Sequence, residues 1–161
     1  FLVDDADKLK VHGKFDYAFA IEVLPHLHDP ANFYRRISRL IKPGGRFAIS
    51  DWFKDTNLTR QQYKKYIKPI NFGMMVSLST PGDYMDYLTK NGFRIVSWND
   101  LNPFVRKTWD IGSKLIMKPA LWKFAREHNR HFVNFLNAFR AMRKGFSSGA
   151  FRYGVIIAEK V

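Results

Sequence analysis

A chain of 161 residues, 46% hydrophobic and 16% aromatic, holds enough apolar material for one packed domain and too much for a disordered one. The absence of cysteine excludes a disulfide-stapled scaffold, a Cys-ligated zinc site and a thiol nucleophile. The net charge is +13, and residues 101–161 hold twelve Lys and Arg against three Asp and Glu, a field that attracts phosphates, anionic headgroups or acidic substrates.

The opening Phe1-Leu2-Val3 runs into Asp4-Asp5-Ala6-Asp7 without a charged-then-apolar leader and reads as the interior of a domain. Apolar runs such as Tyr17–Ile21 fall far short of the roughly 20 residues a bilayer span needs. Lys14–Ala20 reads as a strand. Glu22 and a Pro25-His26-Leu27-His28 loop follow it. Asp29-Pro30 opens a helix as cap and first position, and Phe33, Ile37, Leu40 and Ile41 give it one apolar face. Lys42-Pro43-Gly44-Gly45 stops that helix, and Arg46–Ser50 reads as a second strand.

A helix over Pro81–Lys90, opened by Ser79-Thr80 and closed by Asn91-Gly92, leads to strands at Phe93–Trp98 and Phe151–Glu159. Strands alternating with helices of this length predict an α/β fold with a doubly wound, mostly parallel sheet. Segments 53–78 and 101–150 stand outside the alternation, rich in aromatics, Met and base. Phe132, Phe135, Leu136 and Phe139 share one helix face, by default ordinary core. Open α/β sheets bind ligands at the carboxyl ends of their strands, so the preferred reading of both segments is a helical lid over a hydrophobic substrate.

Phe15-Asp16, Ile21-Glu22, His26-x-x-Asp29, a helix ending Leu40-Ile41-Lys42-Pro43-Gly44-Gly45, then Phe47-Ala48-Ile49-Ser50-Asp51 form an ordered set. Together they resemble class I S-adenosylmethionine-dependent methyltransferases. Met142-x-x-Gly145, Gly149-x-x-x-Tyr153 and Lys160 look like the end of the sterol and tocopherol methyltransferase-like branch, which acts on small, largely apolar acceptors. The resemblance implies a Rossmann-like fold and S-adenosyl-L-methionine as cofactor. Those enzymes also use a glycine-rich turn after their first strand, where backbone N–H groups approach the ligand. That turn is not in this sequence, so residues 1–161 read as the carboxyl-terminal part of one methyltransferase domain, holding about half a cofactor site.

The resemblance places Asp5-Ala6 where a carboxylate accepts the adenine amino group and the next N–H meets a ring nitrogen. A solvated acidic loop is the alternative. Glu22, just past a buried strand, would face the cofactor's methionine end and the acceptor; a hydrogen-bonded loop carboxylate is the alternative. His26 would take a proton from an acceptor hydroxyl or amine, or hold the loop by hydrogen bonds. Asp51 would orient His26, act as base or cap a helix, with Trp52 and Phe53 as an apolar wall. His28 is expected to face solvent, and His12, His128 and His131 to be surface residues. No set of side chains has metal-ligand spacing.

The expected activity is methyl transfer to O, N or C of a small hydrophobic acceptor, in the cytoplasm. Two alternatives are a nucleic-acid methyltransferase using the basic third and a non-catalytic interaction domain, nucleic acid being the disfavoured partner without a recognition motif. An anionic membrane surface and a second copy of the chain are further partners that the charge and fold allow.

Overall fold

The computed structural model describes residues 3–161; Phe1 and Leu2 lie outside the described residues. Four strands, β1 Phe15–Ile21, β2 Ile41–Lys54, β3 Phe93–Asp100 and β4 Phe151–Lys160, form one sheet in the order β1-β2-β4-β3. The α/β class holds. The sheet is mixed rather than mostly parallel: β1 and β2 are parallel, whereas β4 runs antiparallel to both β2 and β3. The reason is the route of the chain. After β3 the 101–150 segment brings it back at the same end of the sheet, where Asp100 pairs with Gly154, so β4 runs reversed between β2 and β3.

Helix α1 (Pro30–Leu40) starts as the sequence predicts, with the Asp29 side chain accepting from Asn32 N and Pro30 in the first turn. The next helix, α2, is a continuous run of Arg60–Gln62, a π-helical turn Tyr63–Ile67, and Lys68–Met74. Pro69 has no N–H to donate, and the widened turn before it accommodates its ring without breaking the rod. Helix α3 (Pro81–Lys90) carries a reciprocal Thr80–Asp83 capping box. Segment 101–150 folds into α4 (Asn102–Ile116), α5 (Pro119–His128) and α6 (Arg130–Ser147).

The predicted Pro43-Gly44-Gly45 stop is a bulge: β1 pairs Phe15 with Ile41 but Tyr17 with Arg46. Gly44 sits at φ +76°, and a Cβ on Gly45 would meet Ile41 and the Asp16 carbonyl, so this corner requires glycine.

Alternate residues of β2, namely Phe47, Ile49, Asp51 and Phe53, are buried on one face under α1 and α3. Phe33, Tyr34, Tyr84 and Leu88 complete that core, with Tyr34 stacked on Tyr87 at 5.1 Å. The other face of β1 is open: Tyr17 and Phe19 are each 76% exposed, beside an edge that no described strand pairs. A second core joins Trp52 and Phe151 to Ile67 and Ile70 of α2, Trp109 of α4 and Ala141 of α6. Helices α2 and α6 touch at Gly73, where a Cβ would run into the Asn134 carbonyl oxygen and Ala138. Among the described residues no helix is long and apolar enough to cross a membrane.

Candidate active site

The carboxyl ends of the parallel pair β1 and β2 lie side by side, and three of the singled-out residues meet there. Glu22 follows β1 with φ +55°, a left-handed conformation that a non-glycine residue adopts at a cost of about 1 kcal/mol or more. Its N–H donates to the Ser50 carbonyl at 2.9 Å, so the turn is fixed onto β2. A 3₁₀ turn, Leu24–His26, then presents His26 at the surface.

Asp51 is fully buried on β2 and has no cationic partner among the described residues. Its two oxygens accept from Leu24 N at 3.1 Å and from Trp52 N at 2.8 Å. From within β2 it thereby ties down the start of the turn that carries His26. Burial pushes its carboxyl up to about 7, against the pull of those backbone N–H groups, and the neighbouring Glu22 carboxylate adds to the rise.

Glu22, His26 and Asp51 line one cavity of about 190 Å3, whose remaining wall is apolar: Ile70, Met74, Val76, Leu78, Met142 and Phe151. That wall comes from both segments outside the α/β alternation, 53–78 through α2 and 101–150 through α6. His26, Pro25 and Val76 also line a groove of about 800 Å3 between α2 and α6, with Phe72, Met75, Phe132 and Phe135. Trp52 borders the cavity from β2, packed on Phe151 at 4.9 Å, Trp109 at 5.3 Å and Tyr153 at 4.4 Å.

Asp5 and Ala6 do not reach this cavity. The Asp5 carboxylate is exposed and accepts from Asp7 N at 3.0 Å and from Lys8 Nζ at 3.0 Å, which together hold it below the usual carboxylate range. No acceptor takes the Ala6 N–H among the described residues. The two residues carry the kinds of group that an adenine edge requires, an acceptor and a donor, with both Asp5 oxygens already engaged by Asp7 N and Lys8 Nζ.

The Asp5 segment is held by a residue the sequence placed only as a flanking acid. Asp7 accepts from His28 N and Asp29 N, each at 3.2 Å, and lies 3.1 Å from His28 Nδ1. It ties the segment to the start of α1, and His28 keeps its ring in solvent as expected. Tyr153 was likewise not singled out for the site. Its hydroxyl accepts from Ser50 Oγ at 2.9 Å, and burial pushes its phenol up, helped by the Glu22 carboxylate. Its only sequence signal was a place in the tail pattern. Among the described residues no three His, Asp or Glu side chains converge as a metal site.

A 2-methyl-6-phytyl-1,4-hydroquinone methyltransferase of Synechocystis sp. is 42% identical over 53 residues, 32% of this chain and 17% of that protein. The [4+2]-cyclase SpnF superposes with a TM-score of 0.74 at 19% identity, over 99% of this chain and 55% of that one. Haemonchus contortus phosphoethanolamine N-methyltransferase 2, solved with phosphomonomethylethanolamine and S-adenosylhomocysteine, superposes at 0.71 with 18% identity, over 98% of this chain and 36% of that one. At such identities the two structures establish the fold alone, and SpnF carries a different named activity on it. The chain spans 17%, 39% and 31% of the lengths of three curated relatives. A family model described as a methyltransferase domain matches residues 1–98, and the chain belongs to that family.

Proposed function

We propose that this chain takes part in S-adenosylmethionine-dependent methyl transfer to a small, largely apolar acceptor. The observation that carries the reading is the cavity at the carboxyl ends of β1 and β2, where Glu22, His26 and Asp51 face an apolar wall. Asp5 and Ala6 would hold the adenine, and Glu22 would face the methionine end. S-adenosylmethionine, when bound, supplies a methyl group made electrophilic by its sulfonium sulfur. The rest of its site, including a glycine-rich turn, would come from a part that packs on the free edge and open face of β1.

An elongated acceptor would lie in the α2–α6 groove with its reactive end at His26, under a lid made by segments 53–78 and 101–150. His26 would take the proton from an acceptor hydroxyl or amine. Asp51, buried and engaged by two backbone N–H groups, is the positioning residue for that turn. For a carbon acceptor, Glu22 would stabilise the positive charge that develops as the new bond forms.

The test is incorporation of labelled methyl by the full-length protein into a phytylated hydroquinone, squalene and phosphoethanolamine, all three suggested by the names of relatives. Incorporation into an apolar acceptor, falling by about 100-fold or more in His26→Ala for a hydroxyl substrate, is expected. Incorporation into phosphoethanolamine alone, or normal turnover in the His26→Ala/Asp51→Asn double variant, would overturn the assignment.

A further inference from the structure

Helix α4 is apolar on two sides. Its inner side buries Trp109, Ser113 and Ile116 against the helical layer. On its outer side Phe104, Ile111 and Leu115 are 80%, 71% and 57% exposed. These three lie seven and eleven residues apart, within about 40° of one another around the helix, so they form one stripe. Lys107 and Lys114 are exposed along one flank of it, Lys118 is exposed in the turn just past the helix, and none of the three pairs with a carboxylate among the described residues. Asp110 is the one acidic residue of the helix.

We propose that this outer face of α4 docks onto an anionic lipid surface. Aliphatic and aromatic side chains enter the headgroup and acyl boundary, while lysines beside them reach outward to lipid phosphates. Charge selects this occupant over the others. A second copy packed antiparallel on the stripe about a two-fold axis would set like-charged lysine rows against each other. Nucleic acid would answer the lysines but leave the apolar stripe without a partner. Docking also joins lipid to the site wall, because Trp109 on the inner side of α4 packs on Trp52 at 5.3 Å. Membrane docking stands apart from the proposed methyl transfer and needs no cofactor.

The test is sedimentation of the full-length protein with vesicles of pure phosphatidylcholine and with vesicles containing about 30 mol% phosphatidylglycerol. Binding should be at least about tenfold stronger to the anionic vesicles and should fall by about tenfold in Phe104→Ser/Ile111→Ser. Both positions are exposed, so circular dichroism and thermal midpoint should not change. Lys107→Glu/Lys114→Glu should weaken binding most at low salt. Equal binding to both vesicles, binding unaffected by either double variant, or a dimer in analytical ultracentrifugation that Phe104→Ser/Ile111→Ser makes monomeric would each overturn the proposal.

Discussion

The sheet with α1 and α3 and the helical layer of α2, α4, α5 and α6 are both packed, but by different means. On the sheet side, strand alternation does the sorting: every second residue from Phe47 to Phe53 points into one aromatic core. In the helical layer, fit depends on small residues at crossings, such as Gly73 against Ala138 and Gly112 against Phe139, and on the Trp52–Trp109–Phe151 cluster. The candidate site lies at the seam, with its titratable groups on the sheet side and its apolar wall largely from the helical layer. One side thus supplies chemistry and the other supplies shape.

The largest expected effect probes the polar anchor of the sheet side. Asp51 has its carboxyl pushed up to about 7 from an ordinary 3.8, so the folded chain holds this proton more tightly than the unfolded one. Its contribution to stability is full below about pH 4 and falls as pH rises toward 7, by up to about 4 kcal/mol. Denaturant titration across that range should show the decline, and Asp51→Asn should remove this part of it. A wild-type protein with the same slope as Asp51→Asn would mean that the carboxyl is not desolvated.

Core variants should then separate the two regions. Leu88→Ala, on the sheet side, should cost about 3 kcal/mol and leave ligand affinity unchanged once the protein is folded. Gly73→Val should cost about 2 kcal/mol or more and also disturb the groove, because α2 must move away from α6. Equal effects of the two variants on ligand binding would erase the distinction between the regions. The smallest effect concerns Glu22. Glu22→Gly should stabilise the chain by up to about 1 kcal/mol by relieving φ +55°, while lowering methyl transfer. Loss of stability there would show that the carboxylate holds the turn rather than serving the site.

Most of the sheet side was legible because its signals are local. The Asp29 cap, the Thr80 start of α3 and the buried strand through Phe47 and Ile49 each follow from a few neighbouring residues, whereas Phe53, expected as a wall of the site, lies in β2 and is buried in the sheet core. The reversal of β4 was not legible, since strand direction depends on where a 50-residue helical segment returns the chain. The alternation rule that predicted mostly parallel pairing has no purchase on such a connection. Of the site, Glu22, His26 and Asp51 were placed together by motif order. What each holds was hidden: Asp51 reaches Leu24 N across 27 positions, and Asp7 reaches His28 N across 21. Tyr153 meets Ser50 across 103 positions, beyond any local pattern.

The most direct measurement is calorimetric titration of S-adenosylhomocysteine into the full-length protein, wild type beside Asp5→Ala. Asp5 is exposed and touches only its own turn, so its removal should leave the fold intact. Binding to the wild type with a loss of about tenfold in Asp5→Ala, roughly 1.4 kcal/mol, is the expected result. No binding to the wild type, or the same affinity in both proteins, would contradict a cofactor site built from this chain.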